Sequence, residues 1–429
     1  LGSGIGCLIL GIGYAAPLRR SGCVTELQVI SREYGALVGS IGSILCSTGI
    51  FISVLAQVVA CAGLITVLFP SCSVGAAAVA AIAAMCVYVI FGGTWGAGMG
   101  GIVKLILLYA TSVAGMACAL FLCGGPSGLL ESIRQLLCGT ALGGIQEATG
   151  LSSLRDSADL ARRFLNLTAR GAVKDLGSGV SLLLGVLSTQ TYAQAIWSAE
   201  TDRKAKKGAL LSALLIPPIG VAGICIGMFM RGHYITQAEM DALTAAGQAV
   251  PELPVLASTI QTFPAFVINH LPPLFAGIVL GTLLITVVGG GAGLSLGMAT
   301  ILLKDIYKRV TRRIDGPEKE LIVIRVTIVA ILGIAAFVAA TVPCSTINDL
   351  GFLSMGLRGT VVFLPMNCAL WFAGKIDRRC ILASVSLAPL AVLAGKLLTL
   401  PFDSLFLGMA VSLLCCLAGR LIVRTKTRV

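Results

Sequence analysis

Charge is scarce in this chain. Only 12% of its residues are Asp, Glu, Lys or Arg, and the mean hydropathy is +0.97. So little charge cannot clothe a soluble globule, and that class is excluded. Histidine is almost absent: His233 and His270 are the only two. The 15 cysteines are scattered through apolar stretches without metal-ligand spacing, so they read as small packing residues. The ten-residue alternation of a membrane barrel is missing. The glycine clusters have no Lys-Ser/Thr after them and no strand before them, which excludes a nucleotide loop. Most telling, no Asp or Glu falls in the middle of an apolar run, and Asp349 sits at an edge. The usual carboxylate proton relay or sodium ligand is therefore not offered there, which leaves carbonyls, hydroxyls and amides. With no carboxylate pair, metal cluster or histidine beside a nucleophile, a membrane enzyme has no support.

What is present is a series of apolar runs. Eleven segments stand out, at about 2–18, 36–69, 74–92, 101–123, 176–198, 208–230, 270–302, 321–343, 350–374, 379–399 and 403–423. Roughly twenty residues cross a bilayer core. The chain is thus an all-α, polytopic membrane protein with about 11 transmembrane helices, and lipid is its first partner. The net charge of +12 does not indicate nucleic acid, because the basic residues lie in short loops. Alternating sides puts 19–35, 93–100, 199–207, 303–320, 375–378 and the tail from Arg420 on one face. With Arg325 and Arg379 at the adjoining span ends, that face carries 21 of the 31 basic residues, so it is predicted to be cytoplasmic, in a plasma or inner membrane. The loops 124–175 and 231–269 then lie outside. A connecting surface helix is expected within 151–170, and Asn166-Leu167-Thr168 there is a formal glycosylation sequon. The chain opens at Leu1 inside an apolar segment with no signal peptide, so an incomplete N-terminus is expected.

Candidate functional residues are the polar ones left in the spans. Ser188-Thr189-Gln190-Thr191 and Gln194 form a polar island. Gln190 and Gln194, four apart, share a helical face. Such a face is costly in lipid unless it meets protein or a water-filled cavity, so it reads as a wall of a solute pathway. Gln57 is alone in its run. Among the cations, Lys396 can snorkel from its span end, whereas Lys104 and Arg358 lie deeper. A central basic residue costs about 2.5–3.5 kcal/mol on insertion scales. Arg358 suits a carboxylate solute, which it can grip with paired hydrogen bonds; bonding to carbonyls at a helix break is the alternative. Phe91-Gly92-Gly93-Thr94-Trp95-Gly96 is predicted to turn the chain between two spans. The glycines around Gly289-Gly290-Gly291 serve either close helix packing or an unwound ion site.

Four passages stand together: Arg19-Arg20 with Thr25-Glu26-Leu27 and Arg32-Glu33-Tyr34-Gly35; Tyr88 through Trp95; Gln194 through Ala199 with Arg203 to Gly208; and Leu271-Pro272-Pro273 through Lys304-Asp305-Ile306-Tyr307. They resemble one family, the sodium:solute symporters, with the LeuT-like inverted-repeat fold. The resemblance implies one transporter domain, 1–429, built as two inverted five-helix repeats. Residues 1–123 would be a partial first repeat whose opening helix is expected to be missing, 124–175 an extracellular loop, 176–374 the second repeat, and 375–429 two peripheral helices and a tail.

It also implies secondary transport of a small organic solute by alternating access, with a sodium ion as the coupling partner. In the family two hydroxyls on the eighth core helix and an aspartate on the fifth surround that ion. Those positions fall here on Gly289, Gly290 and Gly101, and Lys104 stands one turn along. The sodium site is therefore degenerate, and proton coupling or exchange through Lys104 is open beside sodium symport. The solute site is implied at Gln57, Thr189, Gln190, Gln194, Ser354 and Arg358. Thr191 replaces an aromatic gate of sugar-carrying members, which argues against a sugar and leaves a carboxylate or amino acid. No organic cofactor is implied. A transporter-like solute sensor acting through a partner is the alternative from another class.

Overall fold

The computed structural model describes residues 1–139, 163–169, 171–311, 316–341, 347–398, 400 and 402–426, with backbone alone at 93–100, 138–139, 347–349 and 426. Among these residues nine helices are long and apolar enough to cross a membrane, ten if one bent pair is a single span. The N-terminal run adds α1 (Gly2–Ile9), a π turn (Leu10–Tyr14) and α2 (Ala15–Ser21). The short α3 (Glu26–Tyr34) is capped by Thr25, whose hydroxyl accepts from the Gln28 amide, as an N-cap should. Next come α4 (Ala36–Leu68), α5 (Val74–Leu122) and α6 (Pro126–Gly139). The second half has α7 (Ala172–Leu187), α8 (Gln190–Ser198) and α9 (Asp202–His233). After a two-residue parallel strand pair, β1 (Ile235–Thr236) with β2 (Val255–Leu256), and α10 (Gln237–Ala245) between them, come α11 (Thr262–His270) and α12 (Pro273–Ile301). The chain closes with α13 (Lys308–Thr311), α14 (Pro317–Thr341), α15 (Ile347–Trp371), α16 (Arg378–Leu397) and α17 (Ser404–Lys426).

The fold is all-α and multi-pass. Side chains such as Leu214, Phe337 and Leu414 point outward and exposed, because lipid replaces water around the helices. Val54, Ile331 and Val361 pack in a main core, while Leu129, Phe229 and Phe266 pack in a smaller one at one end.

Three expectations are corrected. The predicted turn at Phe91–Gly96 is instead helical backbone within α5. Glycine lowers helix propensity by about 1 kcal/mol, yet in a bilayer unbonded backbone groups cost more than that, which favours the helix's own bonds. The predicted single helix 176–198 is broken at Ser188-Thr189. The two hydroxyls bond back to the Leu184 and Gly185 carbonyls, a local competition that bends helices; α7 and α8 diverge by 43°. Finally, the loop predicted from 303 is helical through a π turn (Leu302–Tyr307) and α13, which brings Asp305 inside. The glycines at 289–291 remain helical within α12, so the unwound reading is withdrawn in favour of close packing. The surface helix expected in 151–170 lies largely outside the described residues.

The regions assigned to one face do meet. Arg19 and Arg20 both reach Asp202, at 2.9 and 3.1 Å. Lys304 and Lys308 share Glu320. Arg309 donates to the Ala36 carbonyl at 2.6 Å, and the Gly374 amide to Glu33 at 2.6 Å. At the opposite end Thr236 and Glu239 form a reciprocal capping box on α10. Replacing Thr236 by alanine is expected to cost about 1 kcal/mol. Hydrogen exchange across 237–245 should then rise roughly five-fold.

Candidate solute and coupling site

The break between α7 and α8 exists because two hydroxyls replace ladder bonds, and it does more than bend the chain. Thr189 adopts an extended backbone, and its hydroxyl, while donating to Gly185, accepts from Arg358 Nη1 at 3.0 Å. Gly185 lets Met355 of α15 approach closely; a Cβ there would stand 2.6 Å from Met355 Cγ. The broken helix and α15 are thus held against each other at the level of the arginine.

Arg358 is 1% exposed. Its Nε donates to the Ser354 carbonyl at 3.3 Å, one turn back on α15, and its Nη2 to the Ser53 hydroxyl of α4 at 3.3 Å. Ser53 and Ser354 hydroxyls lie 2.6 Å apart, and Ser354 donates onward to the Gly49 carbonyl. A guanidinium has five N–H donors, so with these three bonds about two N–H groups are left over. The acceptors are hydroxyls and a carbonyl, all neutral. Among the described residues no carboxylate lies within ion-pair distance of it. A buried charge without a counter-charge costs several kcal/mol. The arrangement therefore favours any anion that can enter and take the remaining donors.

Gly49 seats the arginine. A Cβ at this position would stand 2.7 Å from Arg358 Cγ and 3.2 Å from the Ser354 carbonyl. Gly49→Val is expected to push the side chain aside, costing about 1–3 kcal/mol in overpacking. Solute affinity should fall at least ten-fold, read by equilibrium binding on the purified protein.

One ridge of α4 links this cluster to the glycines of α12. Gly49, Ser53 and Gln57 are spaced four apart and share a face. Gln57 Oε1 lies 3.2 Å from where a Cβ of residue 290 would stand. Beside it, Tyr88 Oη and Lys104 Nζ lie 3.6 and 3.7 Å from the corresponding point on Gly289. Met85 Sδ fills the space at Gly291. The half-buried ammonium thus stands against the bare face of α12.

Residues 1–372 match the sodium:solute symporter family. The chain belongs to this family. No curated protein matches it. Among solved structures it resembles a Na+-coupled sialic acid symporter in a substrate-bound, outward-open state. That likeness has 14% identity and a TM-score of 0.72, and covers 99% of this chain and 82% of the other. At that identity it establishes the LeuT-like fold. The chain is accordingly an integral membrane transporter, not an enzyme.

Not every residue singled out in the symporter's sequence joins the site. Arg358, Thr189 and Ser354 converge, with Ser53 added by the structure. Gln57, Lys104, Gly289 and Gly290 converge as a second group. Gln190 does otherwise: its Nε2 donates to the Val24 carbonyl at 2.8 Å and its Oε1 accepts from the Glu26 amide at 3.2 Å. The amide clasps the start of α3 to the broken helix. Gln194 is half-buried and makes no hydrogen bond among the described residues. Among the described residues nothing lies within 4 Å of the Gly101 Cβ position, Gly289 included.

Two groups escaped notice in the sequence. Glu26 is 2% exposed and Asp305 1%. Asp305 Oδ2 accepts from Thr25 Oγ1 at 2.8 Å. Both fall in stretches that the sequence reads as polar loops. Their burial follows from α3 folding back beneath α4 and the extension of α12, contacts 280 positions apart in the chain. The signal that could have found them is Thr25-Glu26 as cap and first turn of an amphipathic helix whose apolar residues are Leu27, Val29, Ile30 and Tyr34.

Proposed function

We propose that this symporter-family chain moves a small carboxylate or amino acid by alternating access, with Arg358 as the anion-binding group. The observation that carries this reading is the buried guanidinium held by neutral acceptors at the break of α7 and α8. Thr189, Ser53 and Ser354 orient it, and α15 can reshape the site by moving against the broken helix. Relatives in the family couple to sodium. In this chain Lys104 Nζ stands beside Gly289, and the reading is that a fixed ammonium serves in place of the ion, so that transport follows protons or exchange. The orientation assigned is the basic face and the tail in the cytoplasm of a plasma or inner membrane. The two repeats at 1–123 and 176–374 would close on the solute from opposite sides.

The test is uptake of labelled acetate, pyruvate and glycine into proteoliposomes, beside acetamide and glycinamide as neutral counterparts. Saturable uptake of at least one acid, with its amide at least ten-fold weaker, is the expected result. Equal uptake of acid and amide, or no uptake of any acid, would remove Arg358 from this role. Binding without flux would favour a sensor.

A further inference from the structure

Glu26 has no role in the site as described, yet it is among the least accessible charged side chains. It opens α3, its amide is held by Gln190 of the broken helix, and among the described residues its Oε2 has no hydrogen-bond partner. A buried, unpaired carboxylate oxygen is costly when ionised. Burial pushes the Glu26 carboxyl up to about 8, and the Arg358 guanidinium, within charge-interaction range, pulls the other way. Cys46 of α4 lies within charge-interaction range of Glu26, Arg358 and Asp305. Tyr192 of α8 lies within that range of Arg358. Asp305 has Thr25 and Arg309 as its own neighbours. Among the described residues the cation that acts on Glu26 is Arg358, the proposed solute-binding group.

We propose that Glu26 is the proton-binding group of this transporter, linked to the solute through the charge of Arg358. The link rests on the proposed role of Arg358 in anion binding. With the site empty at pH 8, the guanidinium helps to keep about half of the Glu26 carboxylate ionised. An anion on Arg358 cancels that help, and Glu26 takes a proton from water to become the neutral acid. The anion and the proton are then held together, and loss of one on either side of the membrane releases the other. Linkage makes the effect reciprocal: protonating Glu26 must tighten anion binding by the same factor. Lys104 would remain a fixed charge throughout.

The solute-free protein tests this first. Infrared titration of the purified protein in detergent should show a protonated-carboxyl band that disappears with a midpoint near 8. Glu26→Gln should lose the band, and Asp305→Asn should keep it. Arg358→Gln should move the midpoint up by about one unit or more, since one unit corresponds to 1.36 kcal/mol of lost charge interaction. Arg358→Lys, which keeps the charge, should leave it nearly in place. Persistence of the band in Glu26→Gln, or an unmoved midpoint in Arg358→Gln, would overturn the proposal. The second arm adds acetate, pyruvate or glycine at pH 8 and follows proton uptake with an indicator dye. Wild type should take up protons on binding, while Glu26→Gln should bind without uptake. Equal uptake by Glu26→Gln overturns the link. If no acid binds while the midpoint shift in Arg358→Gln is present, the carboxylate reading of the solute fails and Glu26 stands as the proton-binding group.

Discussion

Arg358→Gln is expected to abolish transport of the solute, with affinity falling about 100-fold or more. Truncating one partner of a buried, hydrogen-bonded charge pair costs about 2–5 kcal/mol, and the solute carboxylate would be left facing a neutral amide. The protein should survive the change. Arg358 meets only neutral groups at Thr189, Ser53 and Ser354, and glutamine can donate to one of these hydroxyls. Removing a buried charge also removes its desolvation cost. Thermal stability is therefore expected to hold or rise while binding is lost. Arg358→Lys should recover part of the binding, because it keeps the charge without the planar fork. A variant that loses binding and also unfolds would point to a structural arginine.

The second large effect is expected at Lys104. A basic residue in a span costs about 2.5–3.5 kcal/mol on insertion scales, so a purely structural lysine should be hard to justify. Lys104→Ala is expected to leave folding intact and to lower uphill accumulation at least ten-fold, because no cation then stands against Gly289. Adding Gly289→Ser and Gly290→Ser to that variant tests the same point from the other side. The Cβ positions there meet Tyr88, Lys104 and Gln57 at 3.2 Å or more, so both serines can be housed with a small shift of the Gln57 amide. The triple variant should respond to sodium where the parent does not. Sodium response in the parent, unaltered in Lys104→Ala, would dismiss the substitution of ammonium for ion.

Hydropathy and charge carried the sequence a long way here. The apolar runs became helices, and loops assigned to one face proved to interlock through Arg19, Asp202, Lys304 and Glu320. Arg358 was visible because a cation inside an apolar run has no cheap explanation. The rest depended on contacts between distant parts of the chain. The break at Ser188-Thr189 follows from side chains bonding back to Leu184 and Gly185, which hydropathy does not register. Helix through 91–101 runs against the local preference of glycine and follows instead from the cost of unbonded backbone groups in a bilayer. Glu26 and Asp305 looked like loop charges because their covering helices lie hundreds of residues away. Gln190 looked like a solute ligand for the same reason: its partners at Val24 and Glu26 are 164 or more positions distant.

The account's central claim is that an anionic solute travels with a proton through a site built on Arg358. It is tested most directly by imposing either a proton gradient or a sodium gradient on wild-type proteoliposomes and following accumulation of the acid that the uptake panel identifies. Accumulation should follow the proton gradient, collapse with a protonophore, and persist when choline replaces sodium. Accumulation driven by sodium and indifferent to the proton gradient would contradict it.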